Sequence, residues 1–399
     1  MSQHNPIFDN IGPPLPDVRS IVALRPNAIG DFMFSLPALH ALRHTYPRAR
    51  IVLLGKKWHA DFLRQRPSPV DEVIVMPPVP GVGAPPDARV DRAAVDRFVE
   101  EMRNAHFDLA IQMYGGGGYS NAFIKRLGAK LTIGTKTPEA APLDRWIPYG
   151  EIYNRRLELL QLVAMVGARP LLMEREVTVT EQDRREAAQL LPPRVGERIV
   201  VIHPGASDVR RHWPTERFAA VADALASRGA TIVISATETE GHLARAIASR
   251  MRHPALDFTG RLSLSALCGL LDRADMMVSN DTGPLHLALA LGTPTVGIFW
   301  LTNLMESGPL RQHLLRPALS VQAQCPVCGV PNLKSRCEHD VCFVGDVSTE
   351  KVAQMALELF DEVARPQAAD EPEPALLPHV VRRGPTRSDA AAGRAAPSA

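Results

Sequence analysis

A chain of 399 residues exceeds one ordinary hydrophobic core and suits two domains with a tail. Its 45% hydrophobic and 22% charged residues match a globular protein rather than a fibrous or disordered one. A formal net charge of +2 provides no overall field to attract nucleic acid, so any anionic ligand must be held by local groups.

Met1 to Pro16 has neither a basic start nor an apolar stretch, and no signal peptide is read there. Ile21–Leu24 is a strand, followed by a turn and a helix from about Asp31 to Arg43. Ile51–Leu54, Val73–Val75 and Leu109–Met113 are further strands. Pro77–Pro86 and the glycine run Gly115–Gly118 are loops, the second either admitting a ligand close to the backbone or simply loose. A helical stretch, Asn154–Val166, precedes the Pro192–Pro193 break. Beyond it strands at Ile199–His203, Thr231–Ser235, Met276–Ser279 and Thr295–Phe299 alternate with helices at Thr215–Arg228, Glu238–Met251, Leu264–Arg273 and Pro284–Leu291. A closing helix spans Thr349–Ala364. Such alternation implies parallel βαβ units in two Rossmann-like halves. Leu285 to Leu301 is interrupted by His286, Gly292 and Pro294, so it reads as a buried helix and strand, not a membrane span. A cytoplasmic, reducing address is expected. From Pro366 the chain is rich in Pro, Ala and Arg and poor in large apolar residues, the composition of a disordered tail.

Three strand-to-helix turns carry candidate chemistry. Ser279-Asn280-Asp281-Thr282-Gly283-Pro284-Leu285-His286 sits where ligands of open α/β sheets bind, and the free N–H groups of a helix start favour a phosphate. Its plain alternative is that Asp281 caps the helix and His286 only packs. His203-Pro204-Gly205-Ala206-Ser207 with Arg210-Arg211-His212-Trp213-Pro214 offers a glycine turn and guanidinium groups for a diphosphate, or else a solvated loop with a tryptophan anchor. In the first half, Arg25-Pro26-Asn27-Ala28-Ile29-Gly30-Asp31 places Asp31 either as an N-cap or as a general base opposite the leaving phosphate. Neither half opens with a G-x-G-x-x-G turn and a suitably spaced acid, so a dinucleotide dehydrogenase fits poorly.

Four of the five cysteines form C-x2-C-x8-C-x4-C at Cys325, Cys328, Cys337 and Cys342, with His339 as a substitute ligand. The spacing suits a tetrahedral structural zinc or iron site; free thiols and two disulfides are the alternatives. Cys268 stands alone as a core residue.

Taken together and in order, Ile29-Gly30-Asp31 with Ser35-Leu36-Pro37, His203-Pro204-Gly205-Ala206, His212-Trp213-Pro214, Thr259-Gly260 with Leu262-Ser263-Leu264, and Asn280-Asp281-Thr282-Gly283-Pro284 with His286 resemble glycosyltransferase family 9. This is the family containing the bacterial ADP-heptose:lipopolysaccharide heptosyltransferases, and the resemblance covers roughly residues 20–365. It implies an α/β protein of the GT-B fold. Its two facing Rossmann-like domains would be residues 1–175 on the acceptor side and 176–365 on the nucleotide-sugar side, with a disordered tail at 366–399. It implies an inverting transferase with Asp31 as base and no catalytic metal. Arg211, Thr282, Gly283 and His286 would lie at the donor phosphates and Asp281 near the donor sugar, with Ser207 and Glu240 as weaker candidates for phosphate and for ribose or sugar hydroxyls. A lysine is common where Arg211 stands, so the donor contact differs in geometry. The implied partners are ADP-heptose or a related nucleotide sugar and a saccharide or lipid-linked acceptor, with at most peripheral contact at the inner membrane face. Rival functions are a nucleotide-sugar epimerase or hydrolase and a non-enzymatic nucleotide-sugar-binding protein.

Overall fold

Near-continuous runs of Val, Ile, Leu and Ala belong to parallel strands buried on both faces, and such runs form the central members of the twelve strands in the two large sheets among the described residues. The computed structural model describes residues 12–150, 152–171, 173–191, 198–331 and 337–363. Within them β1 (Ser20–Leu24), β2 (Arg50–Gly55), β3 (Glu72–Val75), β4 (Leu109–Gln112), β5 (Leu131–Lys136) and β6 (Arg145–Pro148) form one sheet in the order β3-β2-β1-β4-β5-β6. The second sheet joins β7 (Ile199–His203), β8 (Thr231–Ile234), β9 (Ala255–Asp257), β10 (Met276–Asn280), β11 (Thr295–Trp300) and β12 (Leu315–Ser320) as β9-β8-β7-β10-β11-β12. All pairings in both sheets are parallel. The two orders are the same doubly wound pattern, and each reverses between its central strands, β1/β4 and β7/β10. That reversal opens a crevice at the carboxyl ends of those strands.

The helices that follow the central strands set up the site. α1 (Ile29–Thr45) leaves β1, and the helix after β10 is Gly283–Leu291. Helix α1 packs on both the Gly283–Leu291 helix and α2 (Arg155–Ala164), and one apolar cluster includes Phe32 and Leu36, Leu159 and Val163, and Leu287 and Leu291. The halves are also tied by a buried ion pair. Arg66 forks onto Asp183 at 2.7 and 2.9 Å and is 4% exposed against 0% for its partner.

Sequence and structure part company mostly at the margins. Helix α1 begins two residues before Asp31, with Ala28 at the N-cap, so Asp31 is not the cap. Strands β5, β6, β9 and β12 lack the long apolar run that marks the central strands; β9 has three residues, and β6 ends in a proline, which suits an edge. Helices at Arg92–Asn104 and Glu181–Leu190 were not expected, because charged residues dominate their outer faces. The loop at 77–86 contains a short bridge of Val79–Pro80 with Gly83–Ala84. The final helix is Thr349–Val363; the Pro192–Pro193 break and the tail lie outside the described residues. No helix among the described residues is long and apolar enough to cross a membrane.

Candidate functional site

Three loops meet where the strand order reverses. The loop after β1 runs into the first turn of α1, which holds Gly30 and Asp31, and glycine at position 30 keeps the approach to the other half close. A Cβ there would lie 3.2 Å from His286 Cδ2 and 3.5 Å from Gly283 Cα. A Cβ on Gly283 would in turn lie 3.4 Å from Ile29 Cβ. Two helix N-termini, one from each half, therefore touch at glycines, and Asp31 is the next residue along. Its side chain is 42% exposed, and the buried Arg25 holds it from behind. Arg25 Nε and Nη2 donate to the Asp31 carbonyl at 3.1 and 2.8 Å, and Nη2 reaches Oδ1 at 3.4 Å. Burial lowers the Arg25 guanidinium while the Asp31 charge pulls it back up.

Across the contact, Thr282 is the N-cap of the Gly283–Leu291 helix, and its hydroxyl makes no capping hydrogen bond. The N–H groups of the first turn and the helix dipole are thus available to an anion. Asp281 does not cap; it is the hub of a buried network. It accepts from Arg211 Nη1 at 3.1 Å, from His286 Nε2 at 3.0 Å and from Asn303 Nδ2 at 2.6 Å. Burial raises its carboxyl, but the hydrogen bond and charge of His286, the Arg211 charge and the Asn303 amide outweigh that and hold it at about 2. Burial also lowers His286 against the opposing pull of Asp281, so a neutral ring donating from Nε2 fits the geometry. Arg211 continues through Nη2 to Ser207 Oγ at 2.7 Å, and its Nε is buried without an acceptor among the described residues. Asn280 pins the β7 loop to β10 by donating to the Pro204 carbonyl at 2.6 Å.

Glu240 stands at the edge of this group. Its Oε2 accepts from the Thr237 hydroxyl at 2.7 Å and the Thr237 N–H at 3.0 Å. Its other oxygen lies against the backbone of Gly205, where a Cβ would come within 2.1 Å of it. A side chain at position 205 would push that carboxylate aside. Arg210 faces away from the crevice, forked onto Asp208, with its guanidinium 5.4 Å from both the Trp300 and Phe343 ring centroids.

The cysteine segment braces the Arg211 loop from outside the crevice. Phe343 N–H donates to the Arg210 carbonyl at 2.7 Å, and Trp213 Nε1 donates to the Val347 carbonyl at 2.9 Å. Ligand atoms of Cys325, Cys328, Cys337 and His339 all lie within 4.8 Å of one another. Gly329, at φ +73°, turns the chain so that its N–H returns to the Cys325 carbonyl at 2.8 Å. His339 Nδ1 is buried with no hydrogen-bond partner among the described residues, as a nitrogen reserved for a metal would be. These donors fit a tetrahedral thiolate and imidazole site. Cys342 is not among them: its Sγ donates to the His212 carbonyl at 3.1 Å. Cys268 is fully buried, and burial pushes its thiol up to about 12.

Asp31, Ser207, Arg211, Glu240, Asp281, Thr282, Gly283 and His286 therefore sit on the three crevice loops and the turn beside them, and the thiols form a separate site. Arg25 and Asn303 were not singled out from the sequence. An arginine directly after the buried apolar run Ile21–Leu24 was the available signal for Arg25. Asn303 had none, because it reaches Asp281 only through the fold.

The family model described as glycosyltransferase family 9 (heptosyltransferase) matches residues 95–328, more than half of the chain. The chain belongs to that family. It is thus a glycosyltransferase. The lipopolysaccharide core heptosyltransferase OpsX of Haemophilus influenzae is 21% identical over 305 residues, which are 73% of this chain and 82% of the relative. The fold matches a family 9 glycosyltransferase from Veillonella parvula with a TM-score of 0.70 at 19% identity, covering 86% of this chain and 97% of the other. It also matches the ADP-heptose heptosyltransferase II of Escherichia coli with a TM-score of 0.66 at 17% identity, covering 87% of this chain and all (100%) of the other. These likenesses make the two sheets the paired lobes of a GT-B fold.

Proposed function

We infer that the protein is an inverting transferase that passes heptose from ADP-heptose to a hydroxyl of a lipopolysaccharide-core saccharide. The carrying observation is the glycine-to-glycine contact, which puts Asp31 beside the first turn of the Gly283 helix. In this reading residues 1–175 take the acceptor and 176–365 the donor. The Asp31 carboxylate accepts the proton of the acceptor hydroxyl as its oxygen attacks the anomeric carbon from the face opposite the diphosphate. The bond to the diphosphate breaks, and ADP leaves with the electron pair. Its developing charge falls among Arg211, the Thr282 hydroxyl, the Gly283 region N–H groups and Ser207, a preorganised set of donors. The unpaired Arg211 Nε supports this role. Asp281 keeps Arg211 and His286 in place, and Glu240 stands at the donor's hydroxyls. The Cys325, Cys328, Cys337 and His339 group holds a structural zinc or iron that stiffens the Arg211 loop. Catalysis takes place at the inner face of the cytoplasmic membrane, with the protein in peripheral contact.

The test is Asp31→Asn assayed by mass spectrometry for sugar transfer and by calorimetry for donor binding. Transfer should drop by about 10²–10⁴-fold, the typical contribution of a general base, with donor affinity kept. Near-normal transfer removes Asp31 from the role.

A further inference from the structure

The first lobe sends one charged side chain into the packing beneath the Asp281 network. Arg156, in the first turn of α2, is 2% exposed, and its guanidinium bonds go to carbonyls, not to a carboxylate. Nη1 donates to the carbonyls of Ser307 and Gly308, the second at 3.1 Å. Burial lowers the guanidinium to about 10 against the pull of the Glu176 and Asp281 charges, so it stays charged at neutral pH. A buried cation is costly, and apolar side chains alone can make a contact between two lobes. What Arg156 touches gives the charge a use.

Two routes lead from Arg156 to Asp281. A short helix, Leu301–Ser307, leaves β11, and Arg156 holds its C-terminal end, where a cation meets the negative end of the helix dipole. Asn154 Nδ2 adds a second bond to the Gly308 carbonyl at 2.9 Å. Within the helix Ser307 Oγ donates to the Asn303 carbonyl at 2.6 Å, and Asn303 Nδ2 donates to Asp281 at 2.6 Å. The second route is aromatic. The Arg156 guanidinium lies over the Phe34 ring, 4.6 Å from its centroid. Phe34 in turn meets His286 edge-on, with centroids 4.7 Å apart and planes at 77°. His286 Nε2 is the group 3.0 Å from Asp281. Helix end and ring thus converge on the carboxylate that holds Arg211.

We propose that Arg156 is a positioning residue for the nucleotide site. From the opposite lobe it sets Asn303 and His286 on Asp281, and through them the aim of Arg211 at the donor diphosphate. The inference rests on the transferase reading above and adds a residue to it. The donor site is then complete only when the first lobe is seated, and by linkage donor binding draws the lobes together.

Calorimetry of ADP binding to the full chain tests this, at a temperature where circular dichroism shows each variant folded. Arg156→Met should weaken ADP about tenfold, a coupling of about 1.4 kcal/mol. Arg156→Lys should recover part of the loss, since an ammonium keeps the charge at the carbonyls but cannot lie flat on Phe34. Asn303→Ala should weaken ADP as well, and its combination with Arg156→Met should fall well short of the product of the single effects. Arg66→Lys weakens another buried contact between the lobes, one with no bond into the Asp281 network, and should leave ADP affinity unchanged. Wild-type affinity in Arg156→Met, fully multiplicative effects in the double variant, or an equal loss in Arg66→Lys overturns the proposal. Should Arg156→Met not fold, Phe34→Leu and Asn303→Ala test the two routes separately, and wild-type affinity in both overturns it. A wild-type protein that fails to bind ADP overturns the donor reading instead, and this inference with it.

Discussion

Asp281→Asn probes the buried network with a magnitude that can be worked out beforehand. The carboxyl is held at about 2 against an ordinary value of 3.8, a depression of roughly two units. At about 1.4 kcal/mol per unit, its ionised form carries about 2–3 kcal/mol of stability at pH 7. An amide resembles the protonated acid and also aims an N–H at groups that already donate, so the variant should lose at least that much. Because the folded-state value is depressed, the contribution is complete above pH 3.8 and disappears as pH falls through about 2. Urea titrations of both proteins at pH 7 and pH 3 should show the gap narrowing by about 1 kcal/mol at the lower pH. Equal midpoints at pH 7, or a gap that ignores pH, would refute the account of Asp281 as an ionised hub.

Arg66→Ala leaves Asp183 buried without its guanidinium and should cost about 3–5 kcal/mol in urea unfolding; Arg66→Lys should recover only part, since an ammonium cannot fork. Elemental analysis of the purified protein should find about one zinc or iron per chain, lost in Cys328→Ser and His339→Ala but kept in Cys342→Ser. Loss of metal in Cys342→Ser with retention in His339→Ala would reverse the ligand assignment.

Where chemistry and turn coincide in one contiguous run, the sequence was readable. Residues 280–286 and 203–213 each combine a strand end, a glycine and polar groups within a few positions, so their place at the crevice followed from pattern alone. Two kinds of feature were not readable. One is long-range support: Asn303 and Arg25 act through contacts that only folding makes, and spacing has no trace of them. The other is a choice between alternative ligands. C-x8-C-x4-C puts Cys342 first and His339 only as its substitute, and the structure reverses that order through the path of the chain past His212, where Cys342 finds a carbonyl instead. Strand β6, with Arg145, Trp146 and Pro148, carries no periodic signature because it closes the sheet and is buried on only part of its surface.

The meeting of Gly30 and Gly283 also bears on how members of such a family can be recombined. A hybrid enzyme that joins the front portion of one homologue to the back portion of another inherits half of this seam from each parent. A side chain longer than a methyl group on either side would crowd that contact, even if both portions fold faultlessly. Parental pairs for shuffling are therefore better chosen by whether these two positions are matched than by percentage similarity across the whole sequence.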